Sequence, residues 1–119
     1  MNIKIFDSEL RVMRILWEHG EMGASDIARI LKADVGWHKN TTYTTIRKLV
    51  DKCAIKRCDP KFICKPLISE EQVQKQEAHE LGSKLFDGSA SALLSAFLSD
   101  KKISQSEINR MKDLIDAYD

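Results

Sequence analysis

The sequence predicts a mainly α-helical chain: three short helices and a β-hairpin first, helices alone afterwards. Three observations predict it. Apolar residues recur at spacings of three and four in the first 53 residues, which is the period of a helix with one buried face. That period breaks after Cys53 into two short runs around Asp59-Pro60-Lys61, the pattern of two strands and a turn. From Ser69 onward two capping boxes, Ser69 to Gln72 and Ser104 to Glu107, open helices again.

In order, Asp7-Ser8 are candidate caps for a helix whose apolar positions are Leu10, Met13, Leu16 and Trp17, with His19-Gly20 as its stop. Gly23-Ala24-Ser25-Asp26 lead into a second helix of under three turns through Ile27, Ala28, Ile30 and Leu31. Asp26 stands in its first turn, where the helix dipole favours an acid. Asp34-Val35-Gly36 make a break, and Trp37 packs beneath the start of the third helix. Residues 54–58 and 62–65 read as the two hairpin strands, with Pro66 ending the second. A hairpin following three helices, the third of them polar outside, is a winged helix-turn-helix. Residues 1–68 are assigned to this DNA-binding domain and 69–119 to a helical dimerisation region.

The third helix, near residues 39–52, organises the rest. Ile46, Leu49, Val50 and Cys53 share one face, and Thr42 projects to the same side. Asn40, Thr41, Thr44 and Lys48 fall opposite, with Arg47 at the edge. Thr41, Thr42, Thr44 and Thr45 run against helix propensity, so something other than helix formation selects them. Short hydroxyl and amide groups suit hydrogen bonds to base edges and phosphates in a major groove. Asn40 is a good helix cap, and His38 before it stands within reach of a phosphate. Lys56, Arg57, Lys61 and Lys65 give the wing positive charge for the backbone.

Composition is that of a soluble domain, with 43% hydrophobic and 31% charged residues. The net charge of +1 hides a division: residues 1–68 hold 13 Lys+Arg against 8 Asp+Glu, and residues 69–119 hold 6 against 10. A basic front half suits an anionic partner. No apolar run is long enough for a membrane span, and MNIKIFDSEL lacks a secretory signal's apolar core, so a cytoplasmic location without membrane association is expected. Cys53, Cys58 and Cys64 lack metal-ligand spacing and read as reduced thiols: Cys53 in the core, Cys58 and Cys64 across the hairpin from each other. No cofactor or metal is implied. His19, His38 and His79 lie on separate segments without a carboxylate pair or a nucleophile–base arrangement, so an enzyme is not expected.

After Ser69 a long polar helix runs to about Phe86, with sparse apolar residues, and reads as a connector. Gly88 ends it, and Ser89 to Ser91 restart a helix carrying Leu93, Leu94, Phe97 and Leu98. The last helix shows Ile108, Met111, Leu114, Ile115 and Tyr118. Two such helices cannot enclose a core, so their apolar surface is expected to meet a second copy of the chain.

The chain resembles the penicillinase-repressor (BlaI/MecI/CopY) family of bacterial regulators over nearly its whole length. DSELRVMRILWEHG is similar to the family's opening block. Trp37, Thr41, Thr44, Ile46, Lys48 and Leu49 match W-x-x-x-T-x-x-T-x-[IL]-x-[RK]-L. KLFDGSASALLSAFL is similar to the dimerisation segment through Phe86, Gly88, Ser89, Leu93 and Phe97, and LSDKKISQSEINRMKDLI to the closing block. The resemblance implies a homodimeric transcriptional repressor with two recognition helices in successive major grooves of a palindromic operator. It also implies base and phosphate contacts at Asn40, Thr41, Tyr43 and Thr44, with Trp37 near the backbone. The chain departs from the family at three places. His38-Lys39 replace a Ser-Pro helix start, and Tyr43 stands where several members have Arg, which removes a bidentate guanine contact. Ala96-Phe97 occupy the position where penicillin-responsive members are cut between Asn and Phe, so release by a sensor-linked protease is not the expected route and the inducer is undetermined. With no cysteine after Cys64, the family's C-terminal copper-binding route is absent as well. The competing function is a winged-helix protein-interaction module without sequence-specific DNA binding.

Overall fold

A computed structural model describes residues 3–100 and 102–118. The elements run α1 (Asp7–His19), β1 (Met22–Gly23), α2 (Ala24–Val35), α3 (Lys39–Asp51), β2 (Ile55–Cys58), β3 (Ile63–Pro66), α4 (Glu70–Leu85), α5 (Ala90–Ser99) and α6 (Gln105–Asp116). They divide into two units between Gln76 and Glu77. The fold is mainly helical, with a winged helix-turn-helix as its first part.

The first unit is built on the apolar faces that the spacing predicts. Val12, Met13 and Leu16 of α1, Ile27 and Leu31 of α2, and Ile46 and Leu49 of α3 close on one another with Ala54, Ile55 and Cys64 of the hairpin. Each helix stops where its local chemistry dictates. Gly20 (φ 82°) and Gly36 (φ 70°) take positive φ and return their N–H groups to the carbonyls of Leu16 and of Leu31 and Lys32. Because Gly36 rather than Asp34 ends it, α2 spans 12 residues, longer than the expected three turns or fewer.

Four local expectations are corrected. The cap of α1 is Phe6 rather than Asp7 or Ser8: the buried Glu9 carboxylate accepts the Phe6 N–H at 2.9 Å, tying off the helix start from inside. Helix α3 begins at Lys39, one residue before Asn40, because the extended His38 offers Nδ1 to the Asn40 N–H at 3.3 Å. Cys53 is exposed rather than in the core. The chain reverses through it in the left-handed region (φ 65°), which turns the thiol outward and delivers Ala54 to the buried position. Cys58 and Cys64 are not cross-strand partners either. The register sets Arg57 opposite Cys64 and Cys58 opposite Ile63, and all three cysteines are free. Burial pushes the Cys64 thiol up to about 11, so it stays neutral and unreactive at physiological pH.

The sheet has a third strand that the sequence did not announce. Met22 and Gly23 pair antiparallel with Cys64 and Ile63, giving the order β1-β3-β2. Two residues carry no alternation to detect, and the pairing depends on a partner some forty positions away. It anchors the wing to the start of α2, where the Ala24 N–H also donates to the Phe62 carbonyl at 3.0 Å.

The first turns of α4 complete this unit. Ser69 and Gln72 form the expected capping box, Ser69 N–H to Gln72 Oε1 at 2.8 Å and Gln72 N–H to Ser69 Oγ at 3.1 Å. Val73 is buried, and the Gln76 amide grips the Ile3 backbone on both sides, accepting from its N–H at 3.1 Å and donating to its carbonyl at 2.6 Å. Trp17, half-buried, donates its indole N–H to the Ile68 carbonyl at 2.9 Å.

Thr42 is the one threonine of α3 whose Oγ1 is fully buried without a hydrogen-bond partner among the described residues. A desolvated hydroxyl with no partner costs stability that an isosteric methyl would not. Thr42→Val is expected to raise the unfolding free energy by about 1 kcal/mol in urea titration.

Candidate nucleic-acid interface

The buried side of α3 fixes what its other side presents. With Thr42, Thr45, Ile46 and Leu49 held in the core, Asn40, Thr41, Thr44, Arg47 and Lys48 are all exposed. Thr45 explains part of the threonine run: its hydroxyl donates back to the Thr41 carbonyl at 2.8 Å, so the helix itself absorbs it. Thr41 and Thr44, by contrast, are exposed, with no such hydroxyl bond among the described residues. Arg47, placed at the edge by projection, lies fully on the exposed face.

Lys39, Asn40, Tyr43, Thr44 and Arg47 line a shallow open hollow of about 580 Å³ along the helix. Lys39 belongs to this set, although the sequence reading passed over it; standing four residues before Tyr43, it shares that face. Trp37 is half-buried against the core at the opening of α3, and His38 is exposed beside it. Tyr43 is half-buried, its ring meeting Phe62 of the wing edge-to-face at 5.7 Å.

The wing's four cations do not behave alike. Lys56 and Lys61 are exposed and make no salt bridge among the described residues. Lys65 pairs with Glu21 at 3.4 Å, and Arg57 pairs with Asp59 at 3.0 Å while its guanidinium lies 3.7 Å over the centre of the Phe62 ring. The face therefore combines neutral donors and acceptors on α3 with Lys39, Arg47, Lys48, Lys56 and Lys61 as cations that make no salt bridge among the described residues. Such a set can hydrogen-bond to base edges and neutralise phosphates.

In the second unit the expected helices form, with Ser89 and Ser104 as their caps, though at Ser104 only the serine half of the expected capping box is made, the Glu107 carboxylate pairing with Arg110. Ser89 Oγ accepts the Ala92 N–H at 3.1 Å and Ser104 Oγ the Glu107 N–H at 3.2 Å. No described residue of α5 or α6 is buried. Leu93, Leu94, Ile108 and Met111 are half-covered, whereas Phe97 (52% exposed), Leu98 and Ile115 face outward. Tyr118 lies beyond the end of α6 and is 86% exposed. Ala96 and Phe97 sit inside α5, a regular helical turn unlike the extended loops where proteolytic nicking concentrates. No described helix is long and apolar enough to cross a membrane.

The sequence pattern of the penicillinase repressor family matches residues 5–117. The chain belongs to the penicillinase repressor family. Among its relatives, the penicillinase repressor of Bacillus licheniformis is 23% identical over 117 residues, covering 97% of this chain and 91% of the relative. The methicillin resistance regulatory protein MecI of Staphylococcus aureus (strain N315) is 24% identical over 114 residues, covering 94% and 93%. The solution structure of the DNA-binding domain of the repressor BlaI superposes with a TM-score of 0.54 at 27% identity, over 58% of this chain and 87% of that one. The monomeric form of Bacillus licheniformis BlaI in complex with the blaP half-operator superposes with a TM-score of 0.52 at 25% identity, over 59% and 88%.

Proposed function

We propose that this member of the penicillinase repressor family is a transcriptional repressor that binds a palindromic operator as a homodimer, each subunit presenting α3 to a major groove. The observation that carries the reading is the exposed face of α3, where Asn40, Thr41 and Thr44 stand among Arg47 and Lys48. A B-DNA major groove about 12 Å wide admits one α-helix, and a face of short polar groups lets the helix approach the base edges. Trp37 and His38 flank the phosphates at the helix start, Tyr43 lies at the wing side of the face, and Lys56 and Lys61 extend phosphate contact along the wing. A relative of similar fold in complex with a half-operator supports DNA binding by this part of the chain. The DNA-binding function is assigned to residues 1–68 and the dimerising function to residues 69–119, whose first two turns, with Val73 and Gln76, belong to the first compact unit.

The half-covered Leu93, Leu94, Ile108 and Met111 and the exposed Phe97, Leu98 and Ile115 of α5 and α6, with Tyr118 beyond, form the surface for the second copy. A soluble chain that leaves this much apolar area on two amphipathic helices covers it by association.

Base contact is tested by fluorescence anisotropy of the full chain on duplexes from the promoter region of its own gene. Asn40→Ala and Thr44→Ala are expected to cost about 1–3 kcal/mol on the preferred sequence and little on a scrambled duplex. Lys56→Ala is expected to weaken both duplexes alike. Equal affinity of the parent chain for preferred and scrambled duplexes overturns sequence-specific binding and favours a protein-interaction module.

A further inference from the structure

We propose that Tyr43, Phe62 and Arg57 are positioning residues that dock the wing onto α3, so that position 43 sets where the wing meets phosphate instead of reading a base. The proposal rests on the DNA-facing reading of α3 and deepens it.

Three chain segments converge on Phe62. Its ring meets Tyr43 of α3 edge-to-face at 5.7 Å with planes 71° apart, a favoured aromatic geometry. The ring also meets the Arg57 guanidinium of β2, 3.7 Å from the ring centre and held in place by Asp59 at 3.0 Å. Its carbonyl accepts the Ala24 N–H at the start of α2. The residue does this from the left-handed region (φ 50°), which side chains seldom adopt and which persists where the surroundings determine it. Beyond Tyr43 the Lys39 ammonium lies 5.6 Å from the ring centre, so a cation, two aromatic rings and a second cation follow one another from α3 to the wing.

This arrangement assigns different work to neighbouring residues. Tyr43 is half-buried with its ring engaged on the wing, whereas Asn40, Thr44 and Arg47 around it are exposed and free to face a groove. Arg57 already has Phe62 and Asp59 as partners. Phosphate contact from the wing therefore falls to Lys56 and Lys61, whose position relative to α3 depends on the stack.

The test compares the full-length parent with Tyr43→Phe, Tyr43→Leu and Phe62→Leu. Affinity is measured for preferred and scrambled duplexes across a salt series, and amide exchange over residues 56–61 is measured without DNA. Tyr43→Phe keeps the ring and is expected to keep the parent's wing exchange and salt slope. The two leucine variants are expected to lose about 3- to 10-fold in affinity for both duplexes alike. Their log–log salt slope should be shallower by roughly one to two, for one or two lost phosphates, with faster exchange in the wing. Base preference changed by Tyr43→Phe or Tyr43→Leu at unaltered salt slope would show that Tyr43 reads a base, and unaltered wing exchange in both leucine variants would show that no dock exists; either overturns the proposal. A parent without DNA affinity overturns the repressor reading and this role together, even where wing exchange responds as described.

Discussion

Phe97→Asp is expected to leave the full chain monomeric and to weaken operator binding by about 10²- to 10⁴-fold, the loss that follows when a second binding event ceases to be intramolecular. Phe97 stands 52% exposed in α5 beside Leu98, on helices in which no described residue is buried. A carboxylate there is harmless in an isolated chain. In an apolar interface it needs desolvation without a partner, which is among the costliest substitutions available. Light scattering of parent and variant at the same concentration reads the change, and circular dichroism confirms that the helices persist. A variant that remains dimeric would remove Phe97 from the interface. A parent that is itself monomeric would remove the homodimer.

The second large effect is on the stability of the first unit. Glu9→Ala is expected to cost roughly 2–3 kcal/mol of stability in urea unfolding. The Glu9 carboxylate is almost wholly enclosed and accepts from the Phe6 N–H at 2.9 Å and from Lys52 Nζ at 2.7 Å. Lys52 donates a further bond to the Lys4 carbonyl at 2.8 Å, so one ammonium ties the start of α1 to the end of α3. Removing one partner of a buried pair leaves the other charge desolvated, at about 3–5 kcal/mol. Lys52 retains about a quarter of its side-chain exposure and can turn partly to water, which lowers the expected loss. Glu9→Gln keeps an acceptor for Phe6 and should fall between parent and Glu9→Ala. A Glu9→Ala midpoint equal to that of the parent would show that the pair contributes nothing net.

What was legible in the sequence was local or periodic. The caps at Ser69, Ser89 and Ser104 and the stop at Gly20 depend on residues within a turn of each other, and the core faces of α1 to α3 on a period that a single helix enforces; α4 instead ends at Leu85 and turns at Asp87 (φ 50°), ahead of the expected Gly88. The failures share a different cause. Strand β1 exists because Met22 finds Cys64, and Phe6 caps α1 because a glutamate buried by tertiary packing reaches back to it. Cys53 fits the α3 period and still lies outside, because the helix ends at Asp51 and the chain turns through a left-handed residue before the period can apply. At the candidate interface, Asn40, Thr41, Thr44 and Lys48 on the outward side of α3 followed from the period, whereas Lys39 was not singled out and Arg47 was set at the edge. The division of the wing cations did not follow from it. Lys56 and Arg57 are adjacent and equally basic on paper, yet only the fold places an aromatic ring under one of them.

The repressor reading is tested most directly by the salt dependence of binding to an inverted repeat from the chain's own promoter region. Each phosphate neutralised by Lys39, Arg47, Lys48, Lys56 or Lys61 releases counterions, contributing about −0.9 to the slope of log K against log salt. Two subunits making six or more such contacts should lose about a thousandfold or more in affinity between roughly 50 and 200 mM salt. A slope near zero, or equal affinity with and without the repeat, would contradict it.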